Sequence, residues 1–495
     1  MGDPYLLRIE GVNLDSFVYD TQNLSTVRGG GLALLNAVDW VAERFRLEPV
    51  TTGASAGIFR FEADGPDTAE SVRAEVAAFL RTHEHPFETA GERSVQRRLS
   101  LGHATFVVDV VASSGDFVAD REALLALNRW RQMQSPSLAL AGRSTSSAVC
   151  GIDRRRPAAV GLRGPDGEPV SESVYQRWQY GRSQKQRFYE DLTGVSFEMG
   201  FSQSFEELTD DPGRGNLHGK MAVLFLDGNR FGGIQDRHCT DAERQQHFDV
   251  ELRRLRRELL ADILDRARNL PDFRESGGAG PIRFETLLWG GDEVLWVVPA
   301  WRGWWLLEFF CERSRDWTIE FPPEVRVPLR HAGGLVFCHH NAPIYRIRHA
   351  VAELARLAKV DPERNLVAYQ VFESFDYAGG ELAELRRRRS PPGLGDHDLL
   401  LEGSKLQGVL ASASSLRDSL PHGQVLALVR RQVEDAPAED AQLAAHRAQI
   451  LSALPPERRP DLDRLLARLG GEQVAWLHLA ELWDYLAAPD TEPLS

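Results

Sequence analysis

The stretch Val223-Leu224-Phe225-Leu226-Asp227-Gly228-Asn229-Arg230-Phe231-Gly232-Gly233-Ile234, with Leu287-Leu288-Trp289-Gly290-Gly291-Asp292-Glu293-Val294 further along, decides the fold. Residues 221–226 read as an apolar strand that delivers the Asp227 carboxylate into a glycine-rich loop. Residues 287–289 and 294–298 read as a hairpin, because Gly290 and Gly291 give a tight turn its backbone freedom. A long charged helix is expected over 241–269, a strand over 334–337, a helix over 345–359 and a last strand over 366–371. In a β-α-β-β-α-β sheet the first strand and the hairpin are neighbours, so Asp227, Asp292 and Glu293 are expected to converge.

The same grammar occurs at the N-terminus. Leu6-Leu7-Arg8-Ile9-Glu10-Gly11-Val12 runs parallel to Val223–Asn229, placing Glu10 on Asp227 and Gly11 on Gly228. Gly53-Ala54-Ser55-Ala56-Gly57 takes the place of the second hairpin, without its carboxylates. Helices over 32–45 and 122–133 and strands over 58–61 and 105–111 complete the first copy. The expectation is therefore an α+β chain with two ferredoxin-like palm domains, the first degenerate. The domains are a degenerate palm over 1–135, a Ser-, Gly-, Pro- and Arg-rich connector over 136–215 and a catalytic palm over 216–380. A bend through Arg386–Arg389 leads to an Ala- and Leu-rich all-helical domain over 395–495.

Charge narrows the partners. A net charge of −14 over 495 residues excludes a bare nucleic-acid coat but leaves room for a local basic patch. Arg177, Arg182, Lys185 and Arg187 interleave with Trp178, Tyr180, Phe188 and Tyr189. They are candidate RNA-binding residues, or equally a solvated helix face with core aromatics. The four cysteines form no Cys-x-x-Cys pair, so buried free thiols are expected rather than a zinc knuckle or a disulfide framework. His339 and His340 read as turn residues ahead of Pro343. No apolar run reaches membrane-spanning length and no signal segment is evident, so a soluble, cytoplasmic protein is expected.

Phosphoryl transfer asks little covalent chemistry of a protein; it needs divalent ions on triphosphate and hydroxyl oxygens. Mg2+ or Mn2+ is satisfied by a few carboxylates, which makes Asp227, Asp292 and Glu293 both the catalytic and the metal-ligating candidates. Gly228, Asn229, Phe231 and Gly232 form a loop suited to cradling a triphosphate, and Gly290 and Gly291 let a nucleotide approach the backbone.

These motifs, with Gly333-Gly334-Leu335-Val336-Phe337-Cys338-His339-His340 and Ala358-Lys359, resemble the palm of the large polymerase/cyclase subunit of type III CRISPR effectors. Arg28-Gly29-Gly30-Gly31 is similar to a motif that follows the opening strand of that family's first palm. The resemblance implies conversion of ATP to cyclic oligoadenylates and Lys359 on the triphosphate. It also implies crRNA, target RNA and other effector subunits as partners. This sequence departs from the family in lacking an HD nuclease domain ahead of the first palm and the paired cysteines of a zinc module. It also has Glu293 where many members carry a second Asp. A diguanylate-cyclase-like enzyme and a non-catalytic, RNA-binding palm scaffold are the alternatives.

Overall fold

In the computed structural model, residues 2–89, 95–136, 138, 148–274, 280–373, 382–391, 393–434 and 440–486 are described. The first palm runs β1 (Asp3–Val12), α1 (Leu24–Phe45), β2 (Glu48–Thr52), β3 (Ala56–Ala63) and α2 (Pro66–Thr82). It continues through a ribbon of β4 (Glu84–Glu88) and β5 (Gln96–Ser100) to β6 (Thr105–Ala112) and α3 (Phe117–Met133). Its sheet has the order β2-β3-β1-β6 with every neighbour antiparallel, the ferredoxin-like arrangement. Leu7 and Ile9 face α1 and α2, whereas Leu6 on the opposite face packs with Phe117 and Leu124 of α3.

Two helices, α4 (Glu172–Thr193) and α5 (Phe205–Thr209), lead to the second palm. It repeats the plan: β7 (Lys220–Gly228), α6 (Phe231–His238), α7 (Ala242–Asn269), β8 (Glu285–Trp289), β9 (Glu293–Pro299) and α8 (Ala300–Arg313). A ribbon of β10 (Thr318–Phe321) and β11 (Val325–Pro328) follows, then β12 (His331–His339), α9 (Ile344–Ala358) and β13 (Leu366–Val371). After α10 (Leu382–Arg389), the short β14 (Leu401–Glu402) completes a sheet of order β14-β13-β12-β7-β9-β8. Among the described strands of this sheet only β12 and β13 pair in parallel, with α9 as the crossover. β7 is buried on both faces: Met221, Val223 and Phe225 meet α9 and the first palm, while Ala222, Leu224 and Leu226 meet α7 and α8. Burial on both faces is why its sequence is an unbroken apolar run rather than an alternating one.

Among the described residues, the C-terminal helices α11 (Val409–Leu416), α12 (His422–Glu434), α13 (Asp440–Ala453), α14 (Arg459–Arg468) and α15 (Glu472–Leu486) do not form a separate core. They share one continuous apolar cluster with α7, α8 and β9 of the second palm.

The connector is more ordered than its composition suggests. α4 crosses α1 so closely that a Cβ on Gly29 would stand 1.9 Å from the carbonyl oxygen of Arg177, and one on Gly181 would stand 1.9 Å from that of Ser25. The Arg28–Gly31 motif therefore lies inside a helix, where its glycines permit backbone contact with α4. Arg28 makes a bidentate pair with Glu285 of β8, Nε–Oε1 2.8 Å and Nη2–Oε2 2.6 Å, tying the first palm to the second. The four cysteines are free and buried, and no described helix is long and apolar enough to cross a membrane.

Candidate functional site

The site forms where β7 meets the β8–β9 hairpin. Asp227 stands opposite Glu293 on one antiparallel rung, and the Gly228 amide donates to the Asp292 carbonyl at 3.0 Å. Facing residues on such a rung share a face, here the α9 face. From the end of α9, Lys359 Nζ reaches Asp227 Oδ2 at 2.5 Å. Burial raises the Asp227 carboxyl above its ordinary range, the Lys359 ammonium opposes that rise, and Asp292 adds to it. Glu293 is pushed up to about 7, mostly by burial and then by the charges of Asp292 and Asp227, against Arg348 and Lys359.

Two further groups frame the acids. Arg256, on α7, is buried beneath the hairpin and donates to the Gly290 carbonyl. Burial pulls its guanidinium down to about 10 against the combined pull of Asp292, Glu293, Asp227 and Asp249. From the first palm, Tyr19 lies under Arg348, whose Cζ is 4.5 Å from the ring centroid, and Arg348 Nη1 holds Asp15 Oδ1 at 2.8 Å. The Tyr19 hydroxyl is pushed up to about 12, chiefly by burial, with Arg348 opposing the rise and Glu293 of the other palm adding to it.

The loop after Asp227 divides into two parts. Asn229 is buried, its amide nitrogen donating to Arg364 O at 3.1 Å and its backbone N–H to Arg330 O at 2.7 Å, so it braces the loop from below. Phe231, expected in the nucleotide cradle, is turned into the core against Phe248 and His331. Its ring fills the space over Gly228, where a Cβ would stand 2.6 Å from it. Open ground remains at Gly232 and Gly291, where an added Cβ would meet nothing within 4 Å.

The two hairpins face each other. A Cβ on Gly290 would stand 3.5 Å from the Ala54 Cβ, and one on Gly53 would stand 3.7 Å from the Gly291 nitrogen. A cleft of about 480 Å³ lies beside them between α1, α4 and α7, lined by Asp39, Trp40, Arg187, Arg253, Arg257 and Trp289 among others. Apart from Arg187, a candidate on other grounds, nothing in the sequence marked these residues or Arg256, Tyr19 and Arg348, because α1, α7, α9 and the loop before α1 bring them in from outside the motifs. Trp289, next to Gly290, is the one whose position could have flagged it.

The α4 candidates separate. Arg177 is buried against Asp20, Nη1–Oδ1 2.9 Å, and Lys185 is buried against Glu285 at 2.7 Å. Neither can meet a phosphate backbone, which corrects the reading of these two as RNA-binding residues; Arg182 and Arg187 remain exposed. His339 ends β12 and His340 occupies the turn beyond it, as expected.

Among the described residues no three His, Cys, Asp or Glu side chains are already spaced to hold an ion. The donor set nevertheless suits a hard divalent cation. It consists of carboxylate oxygens alone, and Asp227 and Glu293 are both raised by burial and by the neighbouring acids, the repulsion a cation would relieve.

No family model matches the chain, and no curated protein matches it. Solved structures do. A Csm1–Csm4 cassette in complex with pppApA aligns over 98% of this chain and 69% of its own, at 15% identity and TM-score 0.56. Csm1 of T. onnurineus aligns over the same 98% and 69%, at 15% identity and TM-score 0.55. The cassette in complex with cA3 aligns over 98% and 70%, at 15% identity and TM-score 0.53. The chain has the Csm1 fold. With 98% of the chain aligned, the Csm1 fold accounts for both palms, the α4 connector and the C-terminal helices together.

Proposed function

We propose that this chain is a metal-dependent nucleotidyl cyclase of type III CRISPR defence, converting ATP to cyclic oligoadenylate messengers inside an effector complex triggered by RNA. The observation that carries the reading is the Asp227–Glu293 rung with Asp292 beside it, set against the facing hairpin of a palm that lacks the acids. The fold neighbours solved with pppApA and with cA3 support the choice of adenine nucleotides and of a cyclic product. A Csm4-like subunit, crRNA and target RNA are the proposed partners, with Arg182 and Arg187 the remaining RNA-facing candidates on α4.

The reaction joins two nucleotides. The 3′-hydroxyl oxygen of one bonds to the α-phosphorus of the other, the bond to pyrophosphate breaks, and the hydroxyl proton passes to solvent. Mg2+ or Mn2+, held by Asp227, Asp292 and Glu293, would supply charge neutralisation of the triphosphate and acidify the attacking hydroxyl. The protein's own part is placement. Lys359 turns from Asp227 to the triphosphate, the open backbone at Gly232 and Gly291 admits phosphate oxygens, and Arg256 keeps the hairpin fixed.

The Lys359–Asp227 pair also suits a second reading, a palm scaffold whose pocket is idle. Incubating the chain with each labelled NTP and Mn2+ or Mg2+, with and without RNA, separates the two. ATP-derived cyclic products that vanish in Asp292→Ala are expected. GTP-only dimers would favour diguanylate-cyclase-like chemistry, and RNA or subunit binding without any product would establish the scaffold.

A further inference from the structure

One helix touches both hairpins. On α7, Asp249 is buried and accepts from the Thr51 hydroxyl at 3.3 Å and from the Thr52 N–H at 3.3 Å, at the end of β2 just before the first palm's hairpin. Arg253, one turn on, binds Asp249 at 2.9 Å and donates to the Thr52 hydroxyl at 3.1 Å. Two turns from Asp249, on the same face, Arg256 donates to the Gly290 carbonyl and, at 3.5 Å, to the Glu293 carbonyl. The backbone of each hairpin is thus hydrogen-bonded to side chains of a single rigid element. Gln246 adds a contact to Pro49 O at 2.9 Å.

We infer that α7 is a gauge that fixes the gap between the degenerate and the live hairpin, with Asp249 and Arg256 as its positioning residues. The inference rests on the nucleotidyl cyclase reading for its purpose: two nucleotides, one against each palm, must meet at bonding distance. Asp249 touches neither hairpin tip nor the three acids of the site; it acts through Thr51 and Thr52. A buried carboxylate whose partners are a backbone N–H, a hydroxyl and one arginine has its acceptors committed, so its loss frees β2 directly. Misplacement of reacting groups by about 1 Å is enough to cost roughly 100-fold in rate.

The gap can be read without any nucleotide. Ala54→Cys with Gly290→Cys places two thiols on carbons 3.5 Å apart, within disulfide range, while the four native cysteines are buried. In that background, Asp249→Ala is expected to slow oxidation of the new pair by roughly 5-fold or more. In the chain with native cysteines it is expected to lower kcat for the first linear dinucleotide by about 10- to 100-fold, with KM for ATP changed less than about 2-fold. Asp249→Asn, which keeps an acceptor for the Thr52 N–H, is expected to recover most of both signals. Thr51→Val, a milder change on the other side of the contact, should shift both in the same direction. Wild-type cross-linking in Asp249→Ala would overturn the gauge. A parent chain that makes no product with any NTP would overturn the cyclase reading instead, and the cross-linking rates would still decide the gauge.

Discussion

Glu10 faces Ala56 on the rung of the first palm that corresponds to the one on which Asp227 faces Glu293 in the second. The backbone repeats with it. Gly11 N donates to Ser55 O at 2.7 Å where Gly228 N donates to Asp292 O at 3.0 Å, and Gly53 N donates to Ala56 O at 2.7 Å where Gly290 N donates to Glu293 O at 2.9 Å. Ser55 and Ala56 therefore occupy the positions of Asp292 and Glu293. The remaining acids also differ in their counter-ions: Glu10 is held at 2.9 Å by Arg8 of its own strand, Asp227 at 2.5 Å by a lysine from a distant helix end. The first palm keeps the backbone frame of the site without its two hairpin acids. Glu10→Gln should change product formation by less than about 2-fold, whereas Asp227→Asn should reduce it by on the order of 100-fold or more. Labelled-ATP turnover of the two variants checks this; equal losses would mean that both palms are catalytic.

Glu293 gives a pH signature. Its folded value of about 7 lies above the ordinary 4.5, so between those values the folded chain keeps a proton that the unfolded chain has released. Folding stability from this group is therefore present below about pH 4.5 and is lost as pH rises through about 7. Without metal at pH 8, Glu293→Gln should be more stable than the parent by about 1–3 kcal/mol, and at pH 4 the difference should disappear. Adding Mn2+ should reverse the ranking, because only the parent offers the carboxylate. Denaturant titrations at both pH values, with and without Mn2+, measure this; a pH-independent difference would rule out the strained carboxylate.

Much of this arrangement was readable in the sequence. Strand β13 was expected over the residues it occupies, and the β7–hairpin neighbourhood followed from the βαββαβ order alone. What escaped was set by distant partners. α4 fell within a connector read from its Ser-, Gly-, Pro- and Arg-rich composition, with Arg177 and Lys185 read as RNA-binding or solvated; they are neutralised instead by Asp20 and Glu285, 157 and 100 residues away in sequence. α1 starts at Leu24 rather than near residue 32 because its glycines, weak helix formers on their own, are required by the crossing with α4. α8, which no sequence expectation covered, is buried from Ala300 to Cys311, its Arg302 and Glu308 included. Phe231 was placed in the nucleotide loop by adjacency, and the core took it.

Two glycines test the difference between packing and binding. Gly181→Ala puts a methyl 1.9 Å from the Ser25 carbonyl oxygen, backbone that cannot yield without separating α1 from α4. A loss of about 3 kcal/mol or more is expected in denaturant unfolding. Gly232→Ala, inside α6 with nothing within 4 Å, should leave stability unchanged or raise it by up to about 1 kcal/mol. Its expected effect is on KM for ATP, which should rise, because the methyl takes space left open beside the acids. A Gly232→Ala chain with unchanged KM would remove this loop from the nucleotide site.

Lys359 should divide metal from nucleotide. Its ammonium sits on Asp227 at 2.5 Å, where a divalent ion would draw on the same carboxylate, and it also lowers the proton affinity of Glu293. Removing it as Lys359→Met has two opposed effects on the ion. Asp227 loses a competitor, which strengthens binding, and both acids lose a stabilising charge, which raises their proton affinity and weakens binding at low pH. As the pH rises to 8 and beyond, the second effect fades while the first stays, so Mn2+ alone should there bind Lys359→Met about 2- to 5-fold more tightly than the parent. ATP in the presence of Mn2+ should show the opposite change, with KM raised by roughly 10-fold, because a charge that would move to the triphosphate is gone. Calorimetry of Mn2+ binding beside steady-state kinetics reads both numbers. Weaker Mn2+ binding in Lys359→Met at pH 8 would show that the lysine supports the carboxylates rather than standing in for the ion.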